Sequence, residues 1–164
     1  MQNNIYASFQ KLIPELEKQT IPTSQDDFSE FYDWVNAQHS FFHYFELKEH
    51  YDNGIDENYY FKKFSVDTGE LEKDIELAID ELWEQYEDEV SFGDQEDLME
   101  QVEEIIFDKI KLAAVPHQLS LIVIYRENPY WLLVENTDEK FIQTVVDEFN
   151  EIFNKDGDLN MSIY

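Results

Sequence analysis

Four side chains able to ligate a metal recur at close spacing within the first third of the chain. His39, His43, Glu46 and His50 stand at intervals of 4, 3 and 4. On one helix they would fall within an arc of about 60°. Imidazole and carboxylate suit zinc and other divalent ions, and neighbours at i, i+4 can chelate one ion. The whole set would span about 16 Å along a helix axis, too far for a single ion, so a closed site needs ligands from a second helix. The competing expectation, adopted here, is that these residues flank an aromatic core with their ring nitrogens hydrogen-bonded, and that no cofactor is bound. There is no HExxH motif to argue for a metalloprotease.

The remaining chemistry is sparse. Asp52-x-Gly54-x-Asp56-x-Asn58 and Asp156-x-Asp158-x-Asn160 resemble the start of a calcium loop, but neither has glycine at the sixth position or glutamate at the twelfth. There is no cysteine, hence no thiolate ligand, thiol nucleophile or disulfide framework. Among 38 acids no pair is marked for general acid–base work by a distinctive neighbour. His117 follows Pro116 at a helix-to-strand junction, and Ser120 and Ser162 lack a nucleophile-elbow context. Arg126 is the single arginine, whereas phosphate-rich substrates usually call for arginine clamps. With four glycines and no GxGxxG or GxxxxGK, phosphate-cradling loops are absent. The expectation is a protein that is not an enzyme.

The stronger signal is charge. The 164 residues carry 38 acids against 11 bases, a net of −27. Bare nucleic acid is excluded as a direct ligand, since it requires a basic footprint. An anionic membrane surface is disfavoured for the same reason. Hydrophobic residues make up 43% and aromatics 16%, ample material for a core, so disorder is not expected. No apolar run reaches the length of a membrane span. The start, Met1-Gln2-Asn3-Asn4, has neither a basic nor an apolar segment, so a secretory signal is not expected and a cytoplasmic location is.

The acids are concentrated. Residues 67–108 hold 18 of them against one base, Lys73, while the segments on either side are only mildly acidic. Apolar positions in this stretch follow a helical period: Leu71, Ile75, Ala78, Ile79, Leu82, Trp83, Tyr86 and Val90, then Leu98, Met99, Val102, Ile105, Ile106, Ile110 and Ala113. Asp67 with Glu70 resembles a capping box, and Asp94 suits an N-cap. Ser91-Phe92-Gly93 suits a tight connection. The spacing predicts two amphipathic helices packed antiparallel, each with an acidic outer face. Helices of this length are about 30 Å long, so the carboxylate density approaches the one charge per about 1.7 Å of duplex DNA. Mixed Glu/Lys pairs would stabilise such helices better than one sign. Self-repulsion therefore points to a role beyond stability.

The elements that would hold this pair are predicted as follows. Residues 4–19 read as a short amphipathic helix containing Pro14, and residues 23/24 to about 51 as a long helix with an aromatic stripe that includes Phe28, Phe31, Tyr32, Val35, Phe42 and Phe45. Residues 55–66 are ambiguous between loop, helical turn and strand. Leu119–Tyr125 and Tyr130–Val134 read as a hairpin across Arg126-Glu127-Asn128-Pro129. A helix capped by Asn136 or Thr137 and a last strand from Leu159 follow. The expectation is a single α+β domain over 1–164, helical to about 115 and β-β-α-β over about 118–164.

The residues expected to meet a partner are Glu72, Glu76, Asp80, Glu84, Glu87, Asp88, Glu96, Asp97, Glu100, Glu103 and Glu104, with Trp83 and Tyr86 as aromatic anchors inside an acidic rim. In class, size and charge the chain resembles bacterial toxin-immunity proteins and phage-type nucleic-acid mimics. That resemblance carries no motif. It implies an acidic inhibitor that blocks a basic surface on a nuclease toxin or a nucleic-acid-binding protein. The alternative is an acidic adaptor whose charge serves mainly solubility.

Overall fold

The computed structural model describes residues 4–47, 53–89 and 95–164, without the side chains of 88, 89 and 95–97. It is an α+β fold of six α-helices and four strands among these residues. The helices are α1 (Ile5–Leu12), α2 (Phe28–Val35), α3 (Tyr59–Lys63), α4 (Thr68–Glu89), α5 (Gln95–Ala114) and α6 (Glu139–Phe153). The strands are β1 (Phe42–Tyr44), β2 (Leu119–Tyr125), β3 (Tyr130–Glu135) and β4 (Asn160–Ile163). All pairings are antiparallel, in the order β1-β3-β2-β4.

The β-β-α-β unit forms as expected, with one addition. The sheet gains an edge strand, β1, from the segment that the aromatic spacing had placed inside a long helix. The chain leaves the helix at Asn36, whose side chain binds the main chain of Phe41 and Phe42 instead of leaving the backbone to continue helically. An aromatic run such as Phe41-Phe42-His43-Tyr44-Phe45 satisfies a strand as readily as a helix, because each ring finds a neighbour on a pleated surface.

Helix boundaries follow local side-chain chemistry. Asn4 and Asp27 cap α1 and α2 by accepting main-chain N–H groups. Helix α1 stops at Leu12, and Pro14 opens a separate 3-10 turn (Pro14–Leu16), as an imino acid without a donor requires. Asn58 caps α3 in the ambiguous 55–66 stretch, accepting from Tyr60 and Phe61. Asp67 accepts from Glu70 N–H at 3.1 Å, the first half of the expected capping box. The cap of α6 is Asp138 rather than Asn136 or Thr137. The expected turn at Ser91-Phe92-Gly93 and the Asp94 cap lie outside the described residues.

Central strands β2 and β3 are buried on both faces, so the sheet is the middle of three layers. On one side Phe28 of α2 meets Phe42, Tyr130, Phe149 and Phe153 edge-on, which joins α2 and α6 to the face bearing Leu132. On the other, Trp131 meets His43 and Phe61, and α5 packs against β2. Helix α4 is outermost: it packs on α5 and on the 3-10 turn Ile55–Glu57. Among the described residues no helix is long and apolar enough to cross a membrane.

Candidate acidic interface

Helix α4 buries Leu71, Ile75, Ile79 and Leu82 and half-buries Ala78 and Tyr86, the stripe expected from its period. It folds back against α5, with Gln101 Nε2 donating to Tyr86 Oη at 2.8 Å close to their connected ends. Tyr86 is thereby committed to the helix pair. Trp83 is not: it is 43% exposed, and Leu77 is 62% exposed.

Around the helix axis, Glu72, Glu76, Asp80, Trp83 and Glu87 fall within about 80° of one another. Glu76, Asp80, Glu84 and Glu87 are exposed, and Glu72 is half-buried. The structure therefore brings Glu72, Glu76, Asp80 and Glu87 into one row with an indole inside it, and Glu84 lies beside that row. The main chain of Asp88, Glu96 and Asp97 continues the two helices, while their side chains lie outside the described residues. On α5, Glu100 and Glu104 are exposed.

Counter-charge is nearly absent. Among the described residues the ion pairs are Lys63 with Glu135 and Glu15, at 3.2 and 3.6 Å, and Lys73 with Glu70 at 3.8 Å. The last is highly exposed and one turn from the start of α4. None neutralises the row.

Two carboxyls are raised above the usual carboxylate range. Glu72 is shifted by burial first, then by the charges of Asp56 and Glu76. Glu103 is pushed up to about 7 by burial, with Glu100 and Glu104 adding to it. Its Oε1 is buried and has no hydrogen-bond partner. Glu103 is thus a poor member of an interface: it faces inward and carries only part of its charge near neutral pH. This separates it from the exposed acids with which its sequence position groups it.

The metal-ligand stripe does not form. His39 precedes the strand and packs on Tyr59, ring centroids 4.7 Å apart. His43 lies on β1, 5% exposed, with Nε2 2.9 Å from Asn58 Nδ2. Glu46 follows the strand and shares a cleft of about 180 Å³ with His43, Tyr32, Tyr44, Gly54 and Glu57. His50 and Asp52 lie outside the described residues. The residues of the stripe were never on one helix, because the helix ends at Val35. Among the described residues no group of three His, Asp or Glu is placed to hold a metal ion. The hydrogen-bonded histidine beside an aromatic core is what His43 provides.

A larger open cleft of about 490 Å³ is lined by Tyr32, Tyr44, Arg126, Glu127, Asn128 and Tyr130. Composition gave no hint of it, since its residues come from α2, β1 and the hairpin turn. Arg126 lies 5.7 Å from the Tyr130 ring centroid, a cation–π arrangement at a surface position. No family model matches the chain, and neither a curated protein nor a solved structure does.

Proposed function

We propose that the chain is a cytoplasmic, non-catalytic inhibitor of the immunity type. It binds and blocks a basic protein surface, the nucleic-acid groove of a nuclease toxin or another nucleic-acid-binding protein. The observation that carries this reading is Trp83, exposed within the row of Glu72, Glu76, Asp80 and Glu87. A half-exposed indole inside a charged rim is the composition of an interface anchor. Dense carboxylates would occupy positions meant for phosphates and accelerate encounter.

One observation favours a second reading, an acidic adaptor. Glu70, Asp74 and Glu81 are also exposed and lie on the far side of the α4 arc, so the acids wrap around the helix. That distribution suits solubility as well as recognition.

Association kinetics separate the two. The partner, once isolated, should bind with an on-rate that falls by about ten-fold or more between low and moderate salt. Reversing Glu76, Asp80, Glu84 and Glu87 to lysine should slow it similarly. An on-rate insensitive to both changes moves the interface elsewhere. Fast, charge-dependent binding that displaces nucleic acid from the partner supports the inhibitor; binding without displacement supports the adaptor.

A further inference from the structure

The sheet has two outer strands, and each is met by an asparagine from a helix end where a further strand would have to pair. Just after β1, Phe45 N–H donates to the Pro129 carbonyl, and within the strand the register sets Phe42 opposite Leu132. Hydrogen-bonded pairs alternate along an antiparallel ladder, so Phe42 turns its N–H and C=O away from the sheet. Asn36 takes both. Phe42 N–H donates to Oδ1 at 2.9 Å, and Nδ2 donates to the Phe42 carbonyl at 2.7 Å.

The opposite edge repeats the arrangement. Tyr164 N–H donates to the Leu121 carbonyl, and Met161 stands opposite Ile124, so Met161 and Ile163 turn outward from β4. Asn150 of α6 accepts Met161 N–H at 2.7 Å and donates to the Met161 carbonyl at 2.8 Å. One helical turn on, Asn154 Oδ1 accepts Leu159 N–H at 3.1 Å. Ile163 has no such cover among the described residues.

We propose that Asn36 and Asn150 are edge seals. A side-chain amide offers the donor and acceptor of a peptide unit. Placed across an outward-facing residue, it fills the position of a neighbouring strand and denies that position to a second copy of this chain or to an extended peptide. Unsealed edges invite such pairing. The two amides come from separate parts of the chain, the end of α2 and the last turns of α6, and they reach equivalent groups. The proposal is independent of the interface on α4; it directs association away from the sheet whatever the partner is.

Native-state hydrogen exchange on the full chain tests it without substitution. The outward N–H groups of Phe42 and Met161 should exchange roughly ten-fold more slowly than the outward N–H of Ile163. Met161 exchanging as fast as Ile163 would overturn the proposal. In addition, Asn150→Leu, close in shape but without donor or acceptor, should associate with rising concentration and bind thioflavin T. The core variant Val145→Ala, adjusted by temperature to equal stability, should stay monomeric. If Asn150→Leu associates no more than Val145→Ala, the asparagine is only a staple between α6 and β4 and the seal is refuted. Should Asn150→Leu not fold, Asn36→Leu reports on the opposite edge by the same readouts.

Discussion

His43 and Asn58 meet in the interior, Nε2 to Nδ2 at 2.9 Å. With Asn58 as donor, the imidazole must be neutral and accept at Nε2. Burial pushes His43 down to about 4, and a protonated ring would face the amide donor with no acceptor. A histidine lowered in the folded state binds its proton more readily when unfolded. The fold is therefore at full strength above the unfolded value near 6.5 and weakens as pH falls from there towards 4. The whole shift corresponds to about 3 kcal/mol at most. Urea unfolding between pH 7 and 4.5 should show this loss as a difference between the native chain and His43→Phe, since the opposite contribution of Glu103 is common to both. That variant should itself be weaker at pH 7 by about 1–3 kcal/mol, because Asn58 loses its partner.

Glu103 has the opposite dependence. Its carboxyl is raised to about 7, so the folded state holds the proton more tightly than the unfolded chain, and stability falls as pH rises from about 4.5 through 7. Glu103→Gln should match the native chain near pH 4.5 and exceed it by about 1–2 kcal/mol at pH 8, a figure reduced for partial exposure. A Glu103→Gln profile that runs parallel to that of the native chain would mean that the burial of Glu103 is unimportant.

Gly54 and Gly157 both adopt left-handed backbone, with φ of +81° and +80°. Their surroundings differ. A Cβ on Gly54 would lie 2.6 Å from His43 Cγ and closer still to Nδ1, whereas one on Gly157 would meet nothing within 4 Å. Gly157→Ala should cost about 1–2 kcal/mol, the left-handed penalty alone. Gly54→Ala adds overpacking against a buried ring and should cost about 2–4 kcal/mol. Denaturant midpoints of the two variants give the comparison directly.

Asp80 sits four residues from both Glu76 and Glu84 on exposed helix surface. Asp80→Lys turns two repulsive pairs into attractive ones and should raise thermal stability, by about 1 kcal/mol. It should also weaken partner binding. Trp83→Ala should leave the melting temperature nearly unchanged, since the indole is half-exposed, and yet reduce affinity by ten-fold or more if it is an anchor. A Trp83→Ala protein that binds normally removes the aromatic anchor from the proposal.

What the sequence revealed, and what it hid, follows from which pattern was unambiguous. Helices α4 and α6 carry a single clear period, strands β2 and β3 an unbroken apolar run of β-branched and aromatic residues beside a turn, and each forms where its pattern places it. The segment 36–47 carries two. Its aromatic residues fit a helical stripe, yet Asn36 offers the main chain an alternative set of hydrogen bonds, and the strand wins because β3 has an open edge to receive it. That long-range pairing is invisible to local spacing, and the histidine stripe fails with the helix that would have carried it. The acidic row was legible as far as periodicity allows. What spacing could not reveal is that Glu103 turns inward and that Tyr86, named with Trp83 as an anchor, is taken up by Gln101 of the neighbouring helix.

The placement of α4 has a consequence for how such a protein can change over time. Because this helix packs chiefly on α5 and the Ile55–Glu57 turn, its exposed residues Glu76, Asp80, Trp83, Glu84 and Glu87 stand outside the buried core. Under the proposed function, the determinants of recognition and those of folding would be carried by different sets of positions. The outer row can be rewritten, one charge or one aromatic at a time, to follow an altered target while the scaffold beneath stays as it is.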